Sequence, residues 1–475
     1  MNVISNSIQR YKNMQIEAKA SIWYTLCNIL QKGISFIVIP IYVRVLTTGE
    51  YGKYTVFQSW RDVLIIFATL NLYCGIFTKA MVDYDDDRDV YTSCMQGLST
   101  VITVFTLAVY LLFSGYWDRL FDMDTTTMLM MFGYFITFPA FNFWTVRKKV
   151  ENKYVSMVAI TMLVTVATPV ISLILLITTN MRENAVIQGY LLVQIAVGIY
   201  FYIYQFIRGK VFYHKKYWIH GIKYNIPLIP HYLSLIVLGQ IDRIMIKKYC
   251  GNDKAGIYSL AYQLATIMSI FVNAINASLI PWIYGKLKVR DIDSIKRTSR
   301  LLCILIAIVT MINTLIAPEV VMIVGTSEYR QAIWLIPSVS LSVYFTFCYN
   351  LFANVEFYYN ETRYVMIASM VGAVLNILLN IIFIPRYGFL AAGYTTLVCY
   401  FVFMIMHYLF MRKICRKEKL GSYVYDNRAI GLISIVLFIL SLLSMLIYDI
   451  VIARYLIIVV LSVVLFKNKK YLLRE

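Results

Sequence analysis

Along the chain, long apolar windows alternate with short polar, charge-bearing breaks. The windows are about 20 residues long, the length a helix needs to cross a hydrocarbon core of about 30 Å. Set against the charged breaks, they predict fourteen spans: 20–42, 54–77, 92–113, 127–146, 155–178, 185–206, 224–246, 256–283, 300–317, 331–352, 364–384, 389–411, 429–448 and 451–466. The expected fold class is an all-α polytopic membrane protein. The first 17 residues, MNVISNSIQRYKNMQIE, are polar and have no apolar core or small-residue cleavage site, so a removable signal peptide is not expected there.

Polar residues interrupt the apolar windows with helical spacing. In span 1, Ser21, Thr25, Asn28, Lys32 and Ser35 follow steps of 4, 3, 4 and 3, which predicts one polar face on a greasy helix. Span 8 repeats the device with Tyr262, Thr266, Ser269, Asn273 and Asn276, and span 2 carries Gln58 and Asp62 on the matching face. Such faces either hold helices together or line water. Three basic residues fall well inside spans, Lys32, Arg61 and Arg243, while Arg300 and Arg454 stand at the edges of windows and go with the adjoining breaks. Each charge costs a few kcal/mol in hydrocarbon, so each needs a carboxylate partner, water or a ligand. Asp62 and Asp242 each adjoin an Arg, but adjacent helix positions point about 100° apart, so neither dipeptide is expected to pair within itself. Two readings stand: Asp62 and Asp242 bridge to cations on other helices, or the cations line a cavity for an anionic substrate.

The chain also repeats. YGKYTVFQ at 51–58 resembles AGIYSLAY at 255–262, matching Gly52 with Gly256 and Thr55 with Ser259 at an offset of 204. Gly189-Tyr190 recurs as Gly393-Tyr394 at the same offset, and NKYV at 152–155 resembles TRYV at 362–365. Span 1 therefore maps on span 7 and span 6 on span 12. Six spans per repeat is an even number, so the halves share one orientation, as in transporters whose repeats are related by an axis along the membrane normal. The expected organisation is an N-terminal lobe at 1–210, a C-terminal lobe at 211–412, and a helix pair with a basic tail at 413–475.

Composition narrows function. The chain is 60% hydrophobic and 15% charged with a net charge of +19. In a soluble protein that charge would suggest nucleic acid. Here, with Arg300 and Arg454 counted in the breaks they adjoin, 31 of the 44 Lys and Arg fall in the tails and even-numbered breaks, 10 in the odd-numbered breaks and three inside spans. That bias predicts cytoplasmic termini and no nucleic-acid partner. The eight cysteines include no CxxC pair and the four histidines have no ligand spacing, so neither disulfides nor a metal site is expected. The acidic run DYDDDRD at 83–89 reads as a solvated turn, with ion coordination as the alternative. No nucleotide-binding motif appears and no break is long enough for an extramembrane catalytic domain, so no cofactor and no enzymatic activity are expected.

Four stretches, IPIYVRVLTTGEYGKYTVFQSW, YNIPLIPHYLSLIVLGQIDRIMIKKYCGNDKAGIYSLAYQLA, APEVVMIVGTSEYRQA and LNILLNIIFIPRYGFLAAGYTTL, resemble the polysaccharide-export branch of the MATE-like (multidrug/oligosaccharidyl-lipid/polysaccharide) superfamily. Within it they are similar to Wzx-type O-antigen or capsule repeat-unit flippases. The resemblance implies two six-helix lobes in the bacterial inner membrane, moving an undecaprenyl-pyrophosphate-linked oligosaccharide from the cytoplasmic to the periplasmic leaflet. It also implies a polysaccharide polymerase and a chain-length regulator as partners. Lys32, Arg61 and Arg243 match the family's placement of cavity cations, with Asn28, Gln58, Tyr262, Asn273 and Asn276 as polar lining and Asp62 and Asp242 as candidates for ion coupling. The competing readings are a cation-coupled multidrug exporter of the same fold and a membrane-embedded polysaccharide polymerase.

Overall fold

The computed structural model describes residues 13–420 and 424–473. Residues 1–12 and 474–475 of the tails and 421–423 of a basic break lie outside the described residues. Each of the fourteen windows holds a helix. They are α1 (Ile16–Val45), α2 (Thr48–Thr69), α3 (Arg88–Leu112), α4 (Thr125–Val150), α5 (Tyr154–Thr178), α6 (Glu183–Gly209), α7 (Ile229–Cys250), α8 (Asn252–Ala265 continued by Met268–Lys288), α9 (Ile292–Leu315), α10 (Ile336–Tyr358), α11 (Thr362–Tyr387), α12 (Leu390–Lys417), α13 (Asn427–Leu446) and α14 (Val451–Leu473).

Ten of these helices are long and apolar enough to cross a membrane, and α8, bent by 40° at its break, makes eleven. The other three fall short for visible reasons. α2 and α7 carry the charges Arg61, Asp62, Asp242 and Arg243, and α14 is apolar only over Val451–Leu465. The protein is a multi-pass membrane protein. Among the described residues there is no strand, and helix ends follow local chemistry. Asp124, Asp291 and Asp426 cap the starts of α4, α9 and α13 by accepting from the backbone N–H of Thr127, Ser294 and Ala429. Arg147, Lys148 and Lys149 crowd the last turn of α4, where the helix dipole favours cations.

The chain folds into two compact units: residues 1–41 with 57–233, and residues 42–56 with 234–475. In the first, α6 packs against α3, α4 and α5, with Phe77, Tyr91 and Phe143 in one core and Trp144 and Phe201 in another. In the second, α10 is the central helix, buried by α8, α9, α12 and α13 around Tyr344, Phe347, Leu351 and Phe352. All eight cysteines are free, and six are buried as packing residues.

The second unit contains the segment where the repeat becomes a contact. The first turns of α2 cross the first turns of α8 so closely that a Cβ on Gly52 would meet the Asn252 carbonyl oxygen at 2.0 Å, and one on Gly256 would meet the Thr48 carbonyl oxygen at 2.1 Å. Thr48 and Asn252, like Gly52 and Gly256, are separated by the same 204 positions, so the clashes are reciprocal. Thr55 and Ser259, the next matched pair, touch through their hydroxyls at 2.9 Å.

Candidate functional site

Residues 242 and 243 lie in α7, where it packs into the second unit. Asp242 is 1% exposed. Its Oδ2 accepts from the hydroxyls of Tyr258 on α8 and Thr396 on α12, the latter at 2.6 Å, and its Oδ1 accepts from Asn380 Nδ2 on α11 at 2.6 Å. Asn380 is held in turn by Thr395, which donates to its Oδ1, and Asn376 lies 3.3 Å away. Four helices thus converge on one carboxylate. Hydrogen bonds to a charged group contribute about 1.5–3 kcal/mol each, and they stand in here for the water this group has lost.

Arg243 points elsewhere. It is 6% exposed. Nη1 donates to Gly239 O at 2.9 Å and Gln240 Oε1 at 2.6 Å, Nε donates to Ser259 Oγ at 3.2 Å, and the guanidinium lies 4.8 Å from the Tyr262 ring centroid. All of these partners are neutral. Neither Asp242 nor Arg243 has an ion-pair partner within 4 Å among the described residues. The two side chains diverge, in line with the roughly 100° between adjacent helix positions, and they make no hydrogen bond to each other.

In the first unit the opposite holds. Arg61 Nε and Nη2 lie 2.9 and 2.6 Å from one oxygen, Asp62 Oδ1, so this dipeptide pairs within itself. That corrects the expectation drawn from helix geometry. The 100° rule separates Cβ directions, but an arginine stem is long enough to fold back over its neighbour. Arg61 also lies 4.8 Å from the Tyr190 ring centroid, and the Tyr190 and Tyr134 hydroxyls are 3.4 Å apart. Each unit therefore sets a guanidinium against a tyrosine face, half-buried for Arg61 and buried for Arg243.

The remaining predicted residues are scattered. The α1 stripe of Ser21, Thr25, Asn28, Lys32 and Ser35 is exposed along its whole length, while Ala20 and Cys27 face inward and Gln31 donates to Thr165 of α5. Gln58 is half-buried. The α8 stripe is not one straight face, because the helix breaks at Thr266, whose hydroxyl folds back on Tyr262 O and Gln263 O. Tyr262 therefore sits against Arg243 before the bend. After it, Asn273 is exposed and Asn276 is buried with its Oδ1 unsatisfied among the described residues. The acidic run at 83–89 is tied to basic and phenolic groups: Asp89 to Arg147 and Arg208, and Asp87 to Tyr217. Among the described residues no cluster of His, Cys, Asp and Glu is arranged to hold a metal ion.

Sequence reasoning missed Tyr258, Asn380 and Thr396. A Tyr, an Asn or a Thr in an apolar window is ordinary helix–helix glue, and only the folded chain brings them to one carboxylate. It also missed Glu356 and His407, both 0% exposed on α10 and α12, whose Oε1 and Nδ1 are 2.9 Å apart.

Comparison with known proteins identifies the family and the fold. The family described as Polysaccharide biosynthesis protein matches residues 18–285, more than half of the chain, and the MatE family matches residues 227–382. An uncharacterized membrane protein of Haemophilus influenzae is 22% identical over 389 residues, covering 79% of this chain and 94% of its own. The Lsg locus putative protein 1 of the same organism is 26% identical over 154 residues, covering 32% of this chain and 38% of its own, so the match spans well under half of that relative. Among solved structures, the lipid II flippase MurJ in its inward closed conformation superposes with a TM-score of 0.71 at 12% identity, covering 94% of this chain and 99% of that one. An inward-facing multidrug resistance MATE family transporter of the MOP superfamily superposes at 0.61 with 14% identity, covering 83% and 96%. The chain belongs to the polysaccharide biosynthesis protein family and has the transporter fold of the MOP (multidrug/oligosaccharidyl-lipid/polysaccharide) superfamily.

Proposed function

We propose that the protein is a flippase for a saccharide carried on a polyprenyl pyrophosphate, moving it from the cytoplasmic to the periplasmic leaflet of a bacterial inner membrane by alternating access between two six-span halves. One observation carries this reading. Arg243 is a buried guanidinium whose hydrogen bonds all go to neutral acceptors, with no carboxylate within 4 Å among the described residues. Burying an uncompensated cation is costly, and a diphosphate entering beside it supplies the missing anion in a low-dielectric setting. Arg61, already leaning on Asp62, and the exposed Lys32 extend the same preference. Exposed Asn28 and Asn273 and half-buried Gln58 and Tyr262 offer amide and phenol groups suited to sugar hydroxyls. The polyprenyl tail stays in lipid.

Asp242 is the proposed coupling group. Ionised, it accepts three donors. On taking up a proton it becomes a donor itself, so at least one hydroxyl, Tyr258 or Thr396, must turn away or reverse its bond. Protonation would thereby loosen α8 or α12 from α7, a packing change that transport can use. Asp62 would serve a parallel role beside Arg61. Termini in the cytoplasm, no catalytic step, and a polymerase and chain-length regulator downstream complete the proposal.

The MatE match over 227–382 favours a second reading, a cation-coupled exporter of cationic drugs. The embedded cations oppose it, since they would repel such cargo. The test is expression in a host lacking its own repeat-unit flippase, scoring surface polymer and drug resistance. Restored polymer with unchanged drug sensitivity supports the flippase. Drug resistance without polymer overturns it.

A further inference from the structure

At the end of the second unit opposite the C-terminus of α14 lies a cleft lined by none of Lys32, Arg61, Asp62, Asp242 or Arg243. It is formed by the first turns of α8, the segment between α9 and α10, and the turn between α13 and α14 with the first turn of α14, and has two adjoining chambers of about 560 and 520 Å³. Ser327, Arg330, Ile333, Tyr448 and Asp449 line both chambers, so the cleft is continuous. Each chamber is within the usual size range for small-molecule sites, about 300–1,000 Å³.

The lining is built rather than incidental. Arg454, in the first turn of α14, is 2% exposed. Its Nη1 donates to Leu315 O at 2.9 Å and to Glu319 Oε2 at 2.7 Å, while its buried Nε has no acceptor among the described residues. Tyr448 donates to Thr314 O at 3.1 Å, which fixes its ring at the floor. Trp334 stands 5.5 Å from Tyr448, centroid to centroid, and is 39% exposed. A fixed aromatic pair therefore borders a wall carrying carboxylates and guanidinium groups.

The charge balance decides what fits. Lys254, Arg330 and Arg454 are offset by Glu319, Glu328 and Asp449, three of each sign, so the cleft has no net pull on a strong anion or cation. A saccharide suits such a lining. Its C–H face lies on an indole, and its hydroxyls both donate to carboxylates and accept from guanidinium. We propose that this cleft binds the saccharide portion of the cargo without contacting its diphosphate, on the face that the Lys and Arg distribution assigns to the outside. The proposal rests on the saccharide-flippase reading for the identity of its ligand and adds a second, lipid-independent site. Such a site would hold the sugar after the headgroup has left Arg243, slowing its return.

The test uses the full chain in lipid nanodiscs on a printed array of oligosaccharide fragments from bacterial surface polymers. Wild type and Arg243→Gln are expected to bind the same features. Trp334→Ala and Asp449→Asn, each eluting as wild type on size exclusion, are expected to bind roughly ten-fold or more weakly, the equivalent of about 1.4 kcal/mol. If no feature is bound, or both variants bind as tightly as wild type, the saccharide cleft is refuted. Polymer restoration in cells is scored separately. Transport without array binding sinks the cleft alone, and array binding without transport sinks the flippase reading alone.

Discussion

Gly52 and Gly256 meet back to back, each with its Cα hydrogen pressed toward a carbonyl oxygen of the other's helix, Asn252 O for Gly52 and Thr48 O for Gly256. A methyl group at either position would sit about 2 Å from a backbone atom, which cannot rotate away as a side chain can. Gly52→Ala and Gly256→Ala should each lower the thermal unfolding temperature of the purified protein, by about 1–3 kcal/mol in stability. Gly33→Ala, at a position with nothing within 4 Å of the added Cβ, should be neutral or slightly stabilising. If all three behave alike, the crossing is looser than described.

The same crossing reaches the proposed substrate cation. Arg243 Nε donates to Ser259 Oγ, Ser259 touches Thr55, and Thr55 donates to Gly52 O. Ser259→Ala should leave Arg243 buried with one acceptor fewer, costing about 1–3 kcal/mol of stability. A Ser259→Ala protein that unfolds at the wild-type temperature would show that this bond contributes nothing.

Asp242 accepts from three helices at once. Asp242→Asn keeps its shape but replaces one acceptor oxygen with a donor that faces the Tyr258 and Thr396 hydroxyls or the Asn380 amide. Transport by Asp242→Asn should fall at least ten-fold with normal membrane level and lose its dependence on the proton gradient. Full, gradient-dependent transport by this variant would remove Asp242 from coupling and leave it a structural residue.

Glu356 and His407 form a pair with no exposure, and Glu356 Oε2 and His407 Nε2 lack partners among the described residues. Removing one member strands the other. His407→Phe or Glu356→Leu alone should cost about 3–5 kcal/mol, while the double variant should recover much of that loss. Additive losses in a double-mutant cycle would show that the two do not act as a pair.

Outside the spans, Glu151 supplies a pH dependence. Burial pushes its carboxyl up, but hydrogen bonds from Arg147 and Lys153 and the charges of Arg147 and Lys148 outweigh that and hold it at about 2. A carboxylate lowered on folding adds stability that is full above its unfolded pKa and is lost as pH falls towards about 2. The gain is on the order of 1 kcal/mol because the site is partly solvated. Unfolding followed from pH 5 to pH 2 should show a shallower slope for Glu151→Gln than for wild type. Equal slopes would rule out this contribution.

Periodicity carried most of the fold into the sequence. All fourteen windows hold helices because burial in lipid demands a continuous apolar run of fixed length, and that demand is written one residue at a time. The repeat was legible for a related reason: Gly52 and Gly256 are where two backbones approach too closely for any side chain. The site was half legible. Asp242 and Arg243 stood out because charge in an apolar window is expensive, yet their partners did not. Tyr258, Asn380 and Thr396 are 16, 138 and 154 positions from Asp242 and have no pattern of their own. Arg454 escaped notice at the edge of the weakest window, where a cation reads as part of the adjoining break. The bend in α8 was invisible too, since Thr266 and Ile267 carry no Pro or Gly to announce it.

The central claim is that Arg243 meets the cargo's diphosphate. The direct measurement is surface polymer in cells lacking a repeat-unit flippase, expressing wild type, Arg243→Lys or Arg243→Gln at equal membrane levels. Wild type should restore polymer, Arg243→Lys should restore part of it because the charge remains, and Arg243→Gln should accumulate lipid-linked saccharide in the inner leaflet. Polymer at the wild-type level from Arg243→Gln would contradict the account.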